Sequence, residues 1–321
     1  MHKITDIPGI RIGHADNQAA ATGCTVILCP EGATAGVDVR GGAPGTRETD
    51  LLNPINYVDK VHSILLSGGS AFGLDAAAGI MQYLEEQNIG FDVGVTKVPI
   101  VAGAVLFDLN CGDYRIRPDK AMGYEACLVA GNGPVAEGSV GAGTGATVGK
   151  IFGTEHAMKG GLGTVCLGVG DLLVGAIVAV NCLGDVVNPV NGSIVAGAFQ
   201  EEPFAFLDCE AGLLAQHDKT INQFAGNTTI GAVITNAVMT KGQVTKVASM
   251  AHNGYARTIR PAHTLFDGDT IFTVATGQIT ADINIVGVLA AQAVEQAVLR
   301  AVTQARSLVG VRSCSEIVRH R

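Results

Sequence analysis

Gly226-Asn227-Thr228-Thr229-Ile230-Gly231-Ala232-Val233-Ile234-Thr235 is where the chain changes character most sharply. From Thr228 to Thr235 every residue except Gly231 and Ala232 is β-branched, the composition of a buried strand. The stretch before it, residues 200–226, carries Glu201-Glu202-Pro203 and His217-Asp218-Lys219-Thr220, polar and without periodicity, and reads as an exposed linker. Slack chain delivered to the first residue of a buried strand is an unusual junction. It supplies what a self-cleaving bond requires, freedom before the bond and rigidity after it. An asparagine turn residue at a strand entry is the plainer reading of Asn227-Thr228, and these residues alone leave both open.

Outward from this stretch, the pattern is that of a mixed α/β protein. A helix is expected from about Lys241 to Ile259, with Val244, Val247, Ala248, Ala251 and Tyr255 on one face. Asp267-Gly268-Asp269 follows, then a strand from Thr270 to Ala275 and a long apolar helix from about Ala281 to Ala305. On the N-terminal side, strands are expected over 163–168 and 172–180, the second running into Asn181. Ile64-Leu65-Leu66, the turn Ser67-Gly68-Gly69-Ser70 and a helix from Ala71 to about Glu86 form a strand–turn–helix unit. Residues 4–40 read as short strands joined by turns: Gly9 to His14, Gly23 to Cys29 and Thr34 to Val39.

Composition narrows the function. Charged residues are 16 % against 47 % hydrophobic, so much apolar surface must be buried, and the near-absence of aromatics (5 %) leaves the core to small aliphatic side chains. With 43 glycines and no collagen-like period, tight turns and close backbone packing are expected. A net charge of −8 with no basic run excludes an electrostatic footprint for nucleic acid. The longest uninterrupted apolar run, Leu172 to Val180, is too short to span a bilayer. The start, Met1-His2-Lys3-Ile4-Thr5-Asp6, lacks a signal peptide's apolar stretch. Eight scattered cysteines without a CxxC read as buried free thiols in a reducing compartment, so a soluble cytoplasmic protein is expected. Gly138 to Lys150 (GSVGAGTGATVGK) contains a G-x-G-x-x-G but no βαβ unit or following acid, so it is read as a loop whose bare N–H groups approach a ligand. His14, His62, His156, His252 and His263 show no metal-ligand spacing, and a structural role is expected for each.

Taken in order, several motifs carry a resemblance that spans essentially the whole chain. They are Asp6-Ile7-Pro8-Gly9-Ile10-Arg11-Ile12-Gly13-His14, Val39-Arg40-Gly41-Gly42-Ala43-Pro44-Gly45-Thr46-Arg47 and Leu66-Ser67-Gly68-Gly69-Ser70-Ala71-Phe72-Gly73. Gly138 to Gly145, Lys159 to Gly163, Gly226-Asn227-Thr228-Thr229 and Arg260-Pro261-Ala262-His263-Thr264 to Asp269 continue the series. In this arrangement the chain resembles the DmpA-type aminopeptidases (L-aminopeptidase/D-esterase, β-peptidyl aminopeptidases), and within them the nylon-oligomer hydrolase branch. The resemblance implies an αββα sandwich of the N-terminal-nucleophile kind. Residues 1–321 would be one domain, cut between Asn227 and Thr228 into a large chain, 1–227, and a small one, 228–321. The pieces would stay together and assemble as a homo-oligomer, in many members a tetramer. No cofactor or metal is implied, and the substrate would be a small peptide or other amide.

Carried over residue by residue, the resemblance makes Thr228 the nucleophile and gives the catalytic carboxylates as Asp267 and Asp269. It gives the lysine ending the glycine-rich loop as Lys150 and the strand-end asparagine as Asn181. Substrate contacts would come from Gly143, Thr144, Gly145 and Phe107, the last standing where the family has a tyrosine. The chemistry suits these residue types. A freed Thr228 brings its own base, an α-amino group with an unperturbed pKa of roughly 7.7–8.0. Asp267 and Asp269 flank one glycine, so an extended backbone sends both carboxylates the same way, where one raises the other's pKa. Asn181 could donate to an oxyanion, and Lys150 could supply charge. Each has a plainer reading: a turn for Asp-Gly-Asp, a strand-end turn for Asn181, a surface lysine for Lys150. An ornithine acetyltransferase-like acyl transferase and an uncleaved, catalytically silent protein remain the alternatives to a hydrolase.

Overall fold

The computed structural model describes residues 2–217 and 226–318. Nine strands share one hydrogen-bonded sheet: β1 (Arg11–Asn17), β2 (Thr22–Val39), β3 (Gly45–Arg47), β4 (Lys60–Ser67), β5 (Val101–Val105), β6 (Gly161–Val169), β7 (Leu172–Asn181), β8 (Thr228–Ala237) and β9 (Thr270–Ile279). Their order is β6-β7-β8-β9-β2-β4-β5-β3, with β1 paired to β2. The β8–β9 and β4–β5 pairs are parallel and the rest antiparallel.

The two short strands expected over 23–39 are one 18-residue strand, β2. Its register against β4 shifts between Leu28 and Ala33, around Pro30-Glu31-Gly32, where the proline has no N–H to give the ladder. Before the shift β2 pairs with β1 and β4; after it, β2 pairs chiefly with β9. The sheet thereby becomes two half-sheets. Ile177, Ile230, Ile234 and Phe272 from one half pack in a single cluster with Ile27, Ile64 and Leu66 from the other. The opposite face of β6–β9 is covered by α4 (Lys241–Thr258) and α5 (Ile283–Thr303), through Val174, Val178 and Val233 against Val247, Tyr255 and Val294. The opposite face of β2, β4 and β5 is covered by α1 (Ala76–Glu86) and α2 (Lys120–Leu128), through Val26 and Leu65 against Ile80, Leu84 and Ala126. Period-two alternation in the strands sends neighbouring residues to the two different cores. The result is the αββα layering expected.

Glycine makes the layers close. A Cβ on Gly163 of β6 would sit 2.1 Å from the Ala297 carbonyl of α5. α5 is long and apolar enough to cross a membrane by length and composition, but Val286, Ala290, Ala293, Val294, Ala297 and Val298 on it are buried in the core.

Two further expectations change. The helix drawn from Ala71 begins as a 3₁₀ turn, Ser70–Asp75, and becomes α-helical only at Ala76. The 200–226 linker is in part folded: Phe199–Gln200 pairs with Ala205–Phe206, and a short helix, α3 (Cys209–Ala215), is capped by Asp208 accepting from the Ala211 N–H. His217 is described; Asp218, Lys219, Thr220 and the rest of 218–225 lie outside the described residues.

Candidate active site

The sheet gathers the candidate residues at one end of three adjacent strands. Antiparallel β7 finishes where β8 and β9 start. Asn181, last in β7, therefore sits opposite Thr228, first in β8, and Asn227 forms a parallel bridge with Asp267 just ahead of β9. Lys150 joins from the end of the glycine-rich loop, whose Gly149 and Lys150 N–H groups bond the Gly184 and Leu183 carbonyls beyond β7. Residues far apart in sequence are thus neighbours for a topological reason.

Around the Asn227–Thr228 bond the geometry is specific. The Thr228 hydroxyl donates to the Asn227 carbonyl oxygen, the carbonyl of the bond before it. That same oxygen accepts the Gly268 N–H at 2.9 Å. Gly268 can approach because it lacks a side chain: a Cβ there would lie 2.8 Å from Thr228 Oγ1. Both Asn227 and Thr228 are buried.

The two aspartates are held by separate donors. Asp269 Oδ1 accepts the Thr229 N–H at 2.8 Å, and its Oδ2 accepts both the His263 N–H (3.1 Å) and His263 Nδ1–H (2.8 Å). Asp267 Oδ2 accepts the Thr264 N–H (3.1 Å) and hydroxyl (2.6 Å), while its Oδ1 accepts from Leu183 N–H at 3.4 Å. Burial, and then the charge of Asp269, push the Asp267 carboxyl up to about 6. The two carboxylates therefore differ in environment, one crowding the other's ionisation.

Lys150 is 4 % exposed, so it is not a surface lysine. Its Nζ donates to Asn181 O (2.9 Å) and Oδ1 (3.0 Å). Burial lowers its pKa to about 8, partly opposed by neighbours that include Asp267. Asn181, fully buried, also accepts the Thr147 N–H on Oδ1 at 2.9 Å. Its Nδ2 donates to the Phe107 (2.9 Å) and Gly226 (3.3 Å) carbonyls, which aims the amide at the chain just upstream of the Asn227 carbonyl.

Phe107 lines a cleft of about 310 Å³ together with Pro44, Asn227, Thr228, Leu265 and Phe266. It also presses on Gly226, where a Cβ would fall 2.0 Å from Phe107 Cγ. Gly145 and Lys150 line a smaller cavity on the other side of Phe107 and Gly226. Gly143 and Thr144 lie deeper than the sequence suggests. They are buried, and their N–H groups bond the Val140 and Gly141 carbonyls rather than facing a cleft. The loop's glycines here serve packing: a Cβ on Gly143 would meet the Leu162 nitrogen at 2.2 Å. The Ser67–Ser70 turn is likewise closed, its Gly69 N–H held by Asp108 at 2.7 Å.

Sequence reasoning passes over four participants: the Gly268 N–H, the Leu183 N–H, Thr264 and His263. Thr264 and His263 stand in the quoted Arg260–Thr264 motif, which is the signal that could have marked them. Backbone donors leave no such signal. All eight cysteines are buried and free, and no group of three or more His, Cys, Asp or Glu able to hold a metal occurs among the described residues.

Residues 2–315 match the model of peptidase family S58, and the chain belongs to that family. An uncharacterized aminopeptidase of Mycobacterium leprae is 42 % identical over 97 % of this chain and 92 % of its own length. A 6-aminohexanoate-oligomer endohydrolase of Paenarthrobacter ureafaciens is 34 % identical over 85 % of this chain and 75 % of its own. Two solved structures share the fold. The Burkholderia sp. beta-aminopeptidase has a TM-score of 0.70 at 22 % identity, covering 99 % of this chain and 93 % of its own. The L-aminopeptidase D-Ala-esterase/amidase of Ochrobactrum anthropi, described as a variant among the Ntn hydrolase fold, has a TM-score of 0.72 at 19 % identity with the same coverage. The protein is a hydrolase of peptide or other amide bonds, of the aminopeptidase type, on an Ntn-hydrolase fold.

Proposed function

We propose that the chain cuts its own Asn227–Thr228 bond and that the freed Thr228 then hydrolyses amide substrates through an acyl-enzyme. The observation that carries this reading is the Asn227 carbonyl, held on one oxygen by the Thr228 hydroxyl and the Gly268 N–H. Thr228 Oγ1 attacks the Asn227 carbonyl carbon, and the negative charge that develops on oxygen falls on the Gly268 N–H, a fixed donor. The C–N bond breaks, the hydroxyl proton ends on the Thr228 nitrogen, and an ester joins Asn227 to Thr228. Water hydrolyses that ester, leaving a carboxylate on Asn227 and a free amine on Thr228.

In turnover the Thr228 amine takes the hydroxyl proton as Oγ1 attacks a substrate carbonyl, and returns it to the leaving amine. Water then releases the acyl group. Asp269 anchors the start of β8 through Thr229 and supplies negative charge beside the ammonium that forms. Asp267 fixes the turn that presents Gly268. Lys150 orients Asn181, whose amide is free to bind a substrate carbonyl once Gly226 and Asn227 withdraw. The cleft beside Thr228 is walled by Pro44, Val105, Phe107, Leu265 and Phe266, which suits an acyl chain with apolar or small groups next to the carbonyl. Substrates are small peptides or ω-aminoacyl amides, by analogy with the aminopeptidase and oligomer endohydrolase relatives. The working protein is a cytoplasmic homo-oligomer.

Intact mass and N-terminal sequencing of freshly purified protein test the reading. A fragment beginning Thr228-Thr229-Ile230 is expected, and Thr228→Ala should give a single, inactive chain. A wild-type chain that remains whole on incubation, or a Thr228→Ala chain that cuts and turns over normally, would overturn it.

A further inference from the structure

His263 is bound to the site twice. Its main-chain N–H and its ring Nδ1–H both donate to one oxygen of Asp269, Oδ2. It does so from a left-handed backbone conformation, φ +59°, which a histidine holds only at a cost of about 1–2 kcal/mol. The ring is also locked from beneath. His252 of α4 meets it edge-on at 4.9 Å between centroids, and Tyr255 lies at 6.2 Å. His252 is itself fixed by Nε2 on the Asp38 carbonyl at 3.0 Å, and its burial lowers its pKa to about 4, so it stays neutral beside His263. An unusual backbone, two donors on one oxygen and a packed ring are more than a structural histidine needs.

We propose that His263 is a positioning residue for the nucleophile: by occupying Asp269 Oδ2 it turns Oδ1 onto the Thr229 N–H, which fixes Thr228 against its target carbonyl. This rests on the assignment of Thr228 above and adds the group that acts through Asp269. Without the ring donor, Oδ2 keeps only the main-chain N–H of His263, the carboxylate is freer to turn, and Oδ1 loses its fixed aim at the Thr229 N–H. The other titratable groups facing Asp269 stay in place: Asp267 on its own loop, Cys182 beyond β7, Tyr255 on α4 and, through His252, Asp38 and Arg40 at the end of β2. None of them changes in the variants below.

Three substitutions separate positioning from bulk. His263→Gly accepts the left-handed backbone and keeps the main-chain N–H, losing the ring alone. His263→Asn also tolerates that backbone and places an amide N–H where Nδ1–H was. His263→Gln fills the ring's space, but its amide lies one atom too far out. The rate of self-cleavage and the kcat and KM of amide hydrolysis are measured for each. The expected result is a roughly tenfold or greater loss of self-cleavage rate and of kcat for Gly and Gln with KM little changed, and rescue of both rates by Asn. Equal rates in all three variants, or losses that fall on KM and leave kcat alone, overturn the proposal.

The same chains made on a Thr228→Ala background, which cannot react, give a second readout through hydrogen exchange of the Thr229 amide, the N–H that Asp269 Oδ1 holds. Its protection should fall with Gly and Gln and return with Asn. Unchanged protection overturns the positioning role. A wild-type chain that never cuts overturns the Thr228 assignment instead, while this exchange still decides what His263 does to Asp269.

Discussion

At the scale of single residues, the site is a set of ionisable groups that folding has made uncomfortable. Lys150 carries its charge in a buried place, and its pKa falls from 10.5 to about 8. A base whose folded pKa is depressed gives up stability as pH falls from the unfolded value to the folded one, so between 10.5 and about 8 the protein should weaken as pH drops. Below that window the burden is constant, on the order of 3 kcal/mol at most. Lys150→Met should therefore raise the denaturation midpoint at pH 7, flatten its rise between about pH 8 and 10, and abolish or greatly slow turnover. A Lys150→Met protein that is both less stable at pH 7 and fully active would contradict the assignment. Asp267 works in the opposite sense, because its folded pKa is raised from 3.8 to about 6. Its contribution is present below about pH 4 and is lost as pH rises through about 6. Gly268 makes a sharper case. Its N–H must reach the Asn227 oxygen, and a Cβ would stand 2.8 Å from both Thr228 Oγ1 and the Ala43 carbonyl. Gly268→Ala should slow self-cleavage by at least about 10²-fold, the usual cost of an oxyanion donor, and lower the melting temperature as well, because the Ala43 carbonyl must give way. Time-resolved mass analysis would detect this.

At the scale of elements, the sequence was most legible where burial imposes a period. The strands at 163–168, 172–180, 228–235 and 270–275 and the helices near 241–259 and 281–305 stand within a few residues of β6, β7, β8, β9, α4 and α5. Two-residue alternation and helical spacing are local signals, so local sequence suffices. Three features were not legible, each for a physical reason. Pro30-Glu31-Gly32 looks like the end of a strand, but β2 carries on because neighbours on both sides hold it through the irregularity. Residues 200–226 read as a polar linker, but Phe199, Phe204 and Phe206 form an edge-to-face cluster that folds a hairpin at its start. The glycine-dense loop looks like a ligand cradle, yet Lys159, fully buried, ties its Thr144 and Ala146 carbonyls at 2.6 and 2.8 Å. Of the candidate site, the motifs pointed to Thr228, Asp267 and Asp269 and the resemblance to Lys150 and Asn181, and the fold brings these side chains together. The Gly268 and Leu183 N–H groups were not, since any residue but proline has one. The glycines of β6 give an element-scale prediction. Gly163 lets the α5 backbone lie against the strand, and Gly163→Ala must push the two apart. A loss of about 1–3 kcal/mol is expected, read as a lower denaturant midpoint, with self-cleavage still occurring.

At the scale of the whole molecule, the position of the proposed cut within the sheet matters more than its position in the sequence. β8 and β9 follow Thr228 in the chain, but they lie between β7 and β2, which precede it. β8 pairs with β7 over eight residues from Thr228 to Thr235, and β9 pairs with β2 from Thr270 to Ala275. α4 and α5 then seal one face of β6 and β7 with the same buried cluster. The segment from Thr228 onward is therefore the middle of the sandwich and not an appendage. Breaking the Asn227–Thr228 bond removes no strand pairing, and separating the pieces would expose both cores at once. The hydrodynamic size should be unchanged by cutting, and the Thr228–Arg321 piece should come away only in denaturant. Made alone, that piece should not fold, because β8 and β9 would present bare edges where β7 and β2 belong. Size-exclusion of cut and Thr228→Ala protein side by side tests this. Native-condition release of the small piece would mean that the interleaved strands contribute far less than their burial implies. Retention would explain how a chain cut at the proposed bond keeps its nucleophile fixed: Thr228 would be a chain end, but the end of a strand paired on both sides.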